Sequence, residues 1–178
     1  MKHTRIWIGA TILSLAITLA VGAPAASAAR RFTCTIVGTN GNDTLRGTAA
    51  QDVICGKGGH DFINGLDGAD ILAGGAGGDI IMGRSGPNVL LGGNGNDSLW
   101  GGKGRDSVIG AFGRDTAVGQ QGDDIIAGGA GNDICLSGID NSGGDIVRGG
   151  PGNDRGDADS DDAVTSIEDL VTFLCYGG

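Results

Sequence analysis

The stretch of sequence that decides the fold runs from residue 92 to residue 109 and reads GGNGNDSLW followed by GGKGRDSVI. Each half is nine residues long, with glycine at positions 1, 2 and 4, aspartate at position 6 and an aliphatic residue at position 8. A short unit that repeats at a fixed period is typical of solenoid proteins. The extent of the repeat along the chain therefore sets the extent of the fold.

The same unit recurs in register on both sides of this stretch. Glycine opens every unit from Gly38 to Gly128, and the glycine at position 4 fails only at Ala50. Asn88 replaces the aspartate once, and a three-residue insertion precedes the last two units. The aspartates of the series are Asp43, Asp52, Asp61, Asp70, Asp79, Asp97, Asp106, Asp115, Asp124, Asp133, Asp145 and Asp154. Such regularity predicts one repeat architecture.

Each unit divides into six turn-forming residues and three strand-forming ones. Glycine permits positive φ in the turn, and alternation in the short strand directs the aliphatic residue inward. Helices are excluded because glycine at every turn would destabilise them. Two units form one coil, which predicts an all-β, right-handed parallel β-roll over residues 29–157, about six coils long. The predicted inward residues are Leu45, Ile54, Ile63, Leu72, Ile81, Leu90, Leu99, Val108, Ala117, Ile126 and Cys135.

The unit resembles the RTX, or hemolysin-type, calcium-binding nonapeptide repeat. The resemblance covers residues 38–136 without interruption and departs from the family pattern mainly at the second glycine, at Ala50 and at Asn88. It implies that turns two units apart hold calcium between them, with the twelve aspartates and backbone carbonyls as ligands. Asn88 supplies no carboxylate, so the sites next to it are expected to be weaker or empty.

Physical chemistry favours the same cation. Stacked carboxylates repel one another unless a cation lies between them, and flexible oxygen ligands suit calcium better than zinc or copper. Beyond the signal peptide the sequence has one histidine, His60. The alternative is a metal-free solenoid in which the aspartates form hydrogen-bonded ladders.

The first 28 residues are predicted to be a secretory signal peptide. A basic head with Lys2 and Arg5 precedes an apolar run, and Ala26-Ser27-Ala28 supplies a cleavage signature. Because Lys2 and Arg5 are its charged residues, cleavage lowers the net charge from −9 to −11. We therefore expect a secreted, extracellular protein with cation partners, without nucleic-acid partners or membrane insertion.

Four cysteines in an exported chain predict two disulfides. The repeat places Cys34 about one coil from Cys55, whereas Cys55 and Cys135 are more than four coils apart. We predict the pairs Cys34–Cys55 and Cys135–Cys175, one at each end of the roll. Residues 158–178 are predicted to form a C-terminal cap. The acidic segment Asp157–Glu168 resembles an EF-hand loop but lacks its glycine, which favours an acidic turn.

No catalytic constellation is found in the sequence, so we do not expect an enzyme. The leading prediction is a secreted protein that folds around calcium ions. The alternative is an extracellular module that recognises a cell surface or polysaccharide. Its apolar outward positions would be Phe62, Ile80, Met82 and Trp100 on one face and Ile71, Val89, Leu91 and Ile125 on the other.

Overall fold

The computed structural model describes residues 32–138, 144–157, 163–167 and 169–170. These ranges contain strands and turns but no helix, and so no helix that could span a membrane. The predicted signal peptide, Cys175 and most of the predicted cap lie outside the described residues. The compact unit that contains the repeats begins at Cys34.

Short strands follow one another at intervals of about one repeat. In chain order they are β1 (Ile36–Val37), β2 (Thr44–Arg46), β3 (Val53–Gly58), β4 (Phe62–Asp67), β5 (Ile71–Ala76), β6 (Ile80–Ser85), β7 (Val89–Asn94), β8 (Ser98–Lys103), β9 (Ser107–Phe112), β10 (Thr116–Gln121), β11 (Ile125–Ala130), β12 (Ile134–Ser137), β13 (Ile146–Arg148), β14 (Arg155–Asp157), β15 (Ala163–Thr165) and β16 (Asp169–Leu170).

The strands form two parallel sheets, one of odd-numbered and one of even-numbered strands, with eight strands in each. Each strand pairs with the next strand but one, and from β1 to β11 the paired residues are 18 apart, so that Leu72 lies opposite Leu90 and Ile63 opposite Ile81. Two units therefore make one coil. The fold is a parallel β-solenoid of about seven turns, which confirms the predicted architecture and adds one coil to the expected six.

The strands in the middle of the solenoid are longer than the three residues predicted for each unit. β3 to β11 each span six residues, and only residues 95–97 separate β7 from β8. The backbone continues to pair with the next coil beyond the first glycine of the unit, as Lys57 does with Gly75. The sequence predicts the first glycine of each unit in a turn, whereas from Gly56 to Gly128 it lies within a strand.

The core is a single column of aliphatic side chains between the sheets. Ile54, Ile63, Leu72, Ile81, Leu90, Leu99, Val108, Ala117, Ile126, Leu136 and Val147 are fully buried. The sequence predicts Cys135 for the core position next to Ala117, but Leu136 occupies it, because the register shifts between Thr116 and Ala117 and places Leu136 opposite Ala117. Leu45 is only partly buried and packs against the core from its end.

Both ends of the described solenoid continue the repeat. Ile36 pairs with Ile54 and packs against the core. The predicted disulfide between Cys34 and Cys55 is present. The three-residue insertion is confirmed by the pairing of Ile125 with Ile146, 21 residues away. Strands β15 and β16 extend the two sheets through residue 170.

Candidate metal centre

The twelve predicted ligands lie at the turns, before the first residue of a strand. Every one from Asp52 onward is buried, with 7% or less of its surface exposed, and Asp43 is half-buried. Asn88 is also buried, at the same place in its unit. Aspartate is seldom buried without a partner, because a charge loses its hydration there. These carboxylates therefore need a compensating interaction.

Part of that compensation comes from the neighbouring coil. The backbone N–H of Asp79 donates to Oδ1 of Asp97, 2.8 Å away, and the N–H of Asp97 donates to Oδ1 of Asp115 at 2.9 Å. The same bond repeats from coil to coil and forms two ladders, one on each edge of the solenoid. The first contains Asp43, Asp61, Asp79, Asp97, Asp115, Asp133 and Asp154, and the second contains Asp52, Asp70, Asn88, Asp106, Asp124 and Asp145.

The second carboxylate oxygen is the unusual atom of the site. Oδ2 is buried and has no hydrogen-bond partner in Asp61, Asp70, Asp79, Asp97, Asp106, Asp115 and Asp133. A buried acceptor left without a partner costs about 1–3 kcal/mol, and more if the group is charged. Repetition of this cost at successive turns indicates that something absent from the polypeptide compensates for it.

The first glycine of each unit makes room for this oxygen. A Cβ atom built on Gly92 would collide with Oδ2 of Asp97, and one built on Gly56 would collide with Oδ2 of Asp61. Glycine is therefore required at this position by a close approach to the carboxylate. The sequence shows that glycine and aspartate recur together, but it does not show that they touch.

Asn88 shows what lies beside the second side-chain atom. Its Oδ1 accepts the N–H of Asp70, as an aspartate does, and its Nδ2 donates to the carbonyl oxygen of Gly86 at 2.8 Å. In the equivalent turn of Asp97, Gly95 also has a positive φ, 129° against 95° at Gly86. An aspartate in such a turn directs a carboxylate oxygen at the glycine carbonyl oxygen, where Asn88 directs an N–H donor. A proton or a cation between the two oxygens would remove their repulsion.

The local environment makes these carboxylates hard to ionise in the absence of a cation. Burial raises the pKa of Asp97 to about 7, helped by the carboxylates of Asp115 and Asp79 and opposed by the N–H of Asp79. Burial is also the main reason that the pKa of Asp106 and that of Asp133 rise to about 6. The pKa values of Asp70, Asp79 and Asp115 are raised for the same reason.

These features fit calcium, which binds carboxylate and carbonyl oxygens in variable geometry. The described residues contain no cluster of three or more His, Cys, Asp or Glu side chains that could hold a metal by themselves. A cation between two turns would therefore take the remaining ligands from backbone carbonyls or water. Each ion would supply positive charge beside the buried Oδ2 atoms, and the aspartates and glycines of the turns would provide the cavity.

Asp43 and Asp52 differ from the other predicted ligands. Oδ2 of Asp43 accepts hydrogen bonds from the backbone N–H and the hydroxyl of Thr39, at 2.6 and 2.9 Å. Oδ2 of Asp52 accepts the same two bonds from Thr48, at 2.7 and 2.9 Å. Sequence reasoning grouped all twelve aspartates and missed these threonines, although Thr39 and Thr48 each follow the first glycine of their unit and signal the difference.

Comparison with known proteins identifies the repeat. The sequence model of a family described as the RTX calcium-binding nonapeptide repeat, four copies long, matches residues 35–63, 48–81, 56–90, 73–108, 82–117 and 109–142. No curated protein matches the chain.

Proposed function

Because the chain belongs to the family of RTX calcium-binding nonapeptide repeat proteins, we propose that its two aspartate ladders bind several calcium ions and that these ions stabilise the solenoid. The observation that carries the proposal is the set of buried Oδ2 atoms without a hydrogen-bond partner in Asp61, Asp70, Asp79, Asp97, Asp106, Asp115 and Asp133. Calcium beside these atoms would neutralise the carboxylates and offset their burial.

The proposed ligands are carboxylates of neighbouring coils on one edge. Asp79 and Asp97 belong to one such pair on the first ladder, and Asp106 and Asp124 to one on the second. Asp145 and Asp154, which continue the ladders beyond the insertion, are included. Sites next to Asn88 would be weaker, because its amide carries no charge and already donates to Gly86.

Calcium binding would act on folding through mass action. A ligand that binds only the folded state, at 100 times its dissociation constant, adds about 2.7 kcal/mol per site to the free energy of unfolding. Several such sites would decide whether a glycine-rich chain with one column of core residues folds. We propose that the chain is exported through its N-terminal signal peptide and folds in extracellular calcium, and that it has no enzymatic activity of its own.

The test is a calcium titration of the oxidised protein after chelation. We expect a cooperative gain of β-sheet signal in circular dichroism and a large rise in Tm, with a much smaller effect of magnesium, whose octahedral geometry is less adaptable. The matched variants are Asp97→Asn, in the ladder, and Asp67→Asn, at an exposed position at the end of β4. Only the first should weaken the response. An unchanged spectrum and Tm across the titration would refute the proposal.

A second candidate function is recognition of a surface or polysaccharide by the outer faces of the sheets. The favouring observation is register: Cys55, Ala73, Leu91, Ile109 and Ala127 stack in one outward row of the odd-numbered sheet. On the other sheet, Ile80 is 42% exposed. Ile71, in contrast, is nearly buried and contributes little. Retention on insoluble polysaccharides with and without calcium tests this function, and no retention in either condition would count against it.

A further inference from the structure

The first two turns of the solenoid differ from the later ones in how their aspartates are bonded. In the turns of Asp43 and Asp52, both Oδ2 hydrogen bonds come from a threonine of the same turn. In the turn of Asp61, the residue at the same place is Lys57, and Oδ2 has no partner. The chain therefore has two kinds of turn with the same aspartate.

Backbone conformation explains the difference. The residue after the first glycine has a positive φ in the later turns, for example 86° at Lys57 and 78° at Leu66. Neither Thr39 nor Thr48 has a positive φ. A β-branched residue strongly resists that conformation, so threonine keeps its N–H and its hydroxyl directed at the carboxylate.

A third threonine, Thr35, also bonds to a ladder aspartate at this end of the solenoid. Oδ1 of Asp52 accepts a hydrogen bond of 3.3 Å from the hydroxyl of Thr35. In later coils the donor to Oδ1 is the backbone N–H of the ladder residue 18 positions earlier in the chain. The N–H of Asp52, for example, donates to Oδ1 of Asp70. Thr35 thus supplies to Asp52 the donor that a backbone N–H supplies in later coils, and it lies next to Cys34 of the Cys34–Cys55 disulfide.

We infer that the turns of Asp43 and Asp52 are stabilised by threonine hydrogen bonds and take no cation, so that the calcium-dependent part of the solenoid begins at the turn of Asp61. The N–H and O–H hydrogens that point at Oδ2 are positive, and they occupy the side from which a cation would approach. The inference rests on the proposed function, because it divides the predicted ligands into two classes. It gives the protein a metal-independent N-terminal end.

The test compares two double variants of the full chain by equilibrium dialysis against calcium and by Tm. We expect Asp79→Asn/Asp97→Asn to bind fewer calcium ions than wild type. Asp43→Asn/Asp52→Asn should bind as many ions as wild type, and any change in its Tm should be the same with and without calcium, because these two turns hold no ion. An equal loss of bound ions in the two variants would overturn the inference.

A second pair of variants, with smaller changes, keeps the inference testable if the aspartate variants fail to fold. Thr39→Val/Thr48→Val should lower Tm by about 4–12 °C in calcium-free buffer and by the same amount in calcium, because each hydroxyl loses two hydrogen bonds, one donated to Oδ2 and one accepted from the N–H of Gly41 or Ala50. Thr39→Ser/Thr48→Ser should restore Tm. An unchanged Tm of the valine variant in calcium-free buffer would overturn the inference. Failure of the wild type to bind calcium would instead refute the proposed function, while leaving the calcium-free Tm values as the measure of the threonine bonds.

Discussion

Asn88 Nδ2 donates a hydrogen bond of 2.8 Å to the carbonyl oxygen of Gly86, two residues earlier in the same turn. Its Oδ1 and its backbone N–H meanwhile keep the ladder bonds to Asp70 and Asp106. Both polar atoms of the Asn88 side chain are therefore hydrogen-bonded. An aspartate at this place would direct its second carboxylate oxygen at the carbonyl oxygen of Gly86, with no donor between them. Among the ladder residues of the later turns, Asn88 is the one suited to a metal-free state.

The first prediction concerns Asn88→Asp. In calcium-free buffer the new carboxylate loses the bond to Gly86, so the free energy of unfolding should fall by about 1–3 kcal/mol. In calcium the loss should be reversed, and more calcium should bind, because the second ladder is then continuous. Urea denaturation with and without calcium measures the first effect, and equilibrium dialysis measures the second.

The control for Asn88→Asp is Asn96→Asp, which makes the same charge change in a neighbouring turn. Asn96 is exposed, and its Oδ1 accepts the N–H of Arg114, a bond that aspartate preserves. Its effect should stay within about 0.5 kcal/mol in both buffers. Equal effects of the two substitutions would show that net charge, and not the place in the ladder, governs stability.

The second prediction is a pH dependence of the calcium-free protein. The pKa of Asp97 is about 7 in the folded state, above its ordinary 3.8, so between these values the folded state holds protons that the unfolded state has released. Stability from such a group is present at low pH and is lost as the pH rises through the folded-state pKa. We expect the free energy of unfolding to fall between about pH 4 and about pH 7. Urea denaturation across this range in calcium-depleted buffer measures it.

Two controls accompany the pH measurement. Asp97→Asn removes one of the titrating groups and should flatten the dependence. Saturating calcium should oppose or reverse it, because protons and calcium would then compete for the same oxygens. A calcium-free protein that becomes more stable from about pH 4 to about pH 7 would contradict the raised pKa values of Asp97, Asp106 and Asp133.

Much of the fold could be predicted because one period constrains all of it. A register of 18 residues follows from two units per coil, and it placed Ile54, Leu72 and the Cys34–Cys55 pair correctly. The errors arose where the pattern of side chains does not determine the backbone geometry. Glycine hides the length of the strands, and the register shift before Ala117, which moves Leu136 into the core, leaves no mark in the spacing.

The candidate site was less fully predictable. The repeat identifies the aspartates and their stacking, because both depend on the period alone. It does not reveal which carboxylate oxygen is bonded, since that depends on the φ angle of another residue in the turn, such as Lys57 or Thr48. The contact between Gly92 and Asp97 Oδ2 is equally invisible to sequence, because it depends on how the turn closes.

The third prediction uses two adjacent leucines of β7. Leu90 is fully buried in the core column, whereas Leu91 faces outward and is only partly buried. Leu90→Ala should lower the free energy of unfolding by about 2–5 kcal/mol through lost burial and the cavity it leaves. Leu91→Ala removes the same atoms and should cost less than about 1 kcal/mol. Similar losses in calcium-saturated urea denaturation would show that the outer face is covered in solution.

The fourth prediction concerns strain at Arg84. This exposed residue has a φ of 83°, a conformation that costs a side-chain-bearing residue about 1–2 kcal/mol. Glycine adopts it freely but loses more entropy on folding, so Arg84→Gly should raise the free energy of unfolding by a net of about 0.5–1 kcal/mol. Arg84→Ala keeps the Cβ atom and should show no such gain, which separates relief of strain from loss of charge.

The reverse change, Gly93→Ala, forces alanine to a φ of 119° and brings its Cβ against the carbonyl oxygen of Gly75. It should lower Tm, measured in calcium-saturated buffer, and a rise instead would contradict the turn geometry that both ladders share.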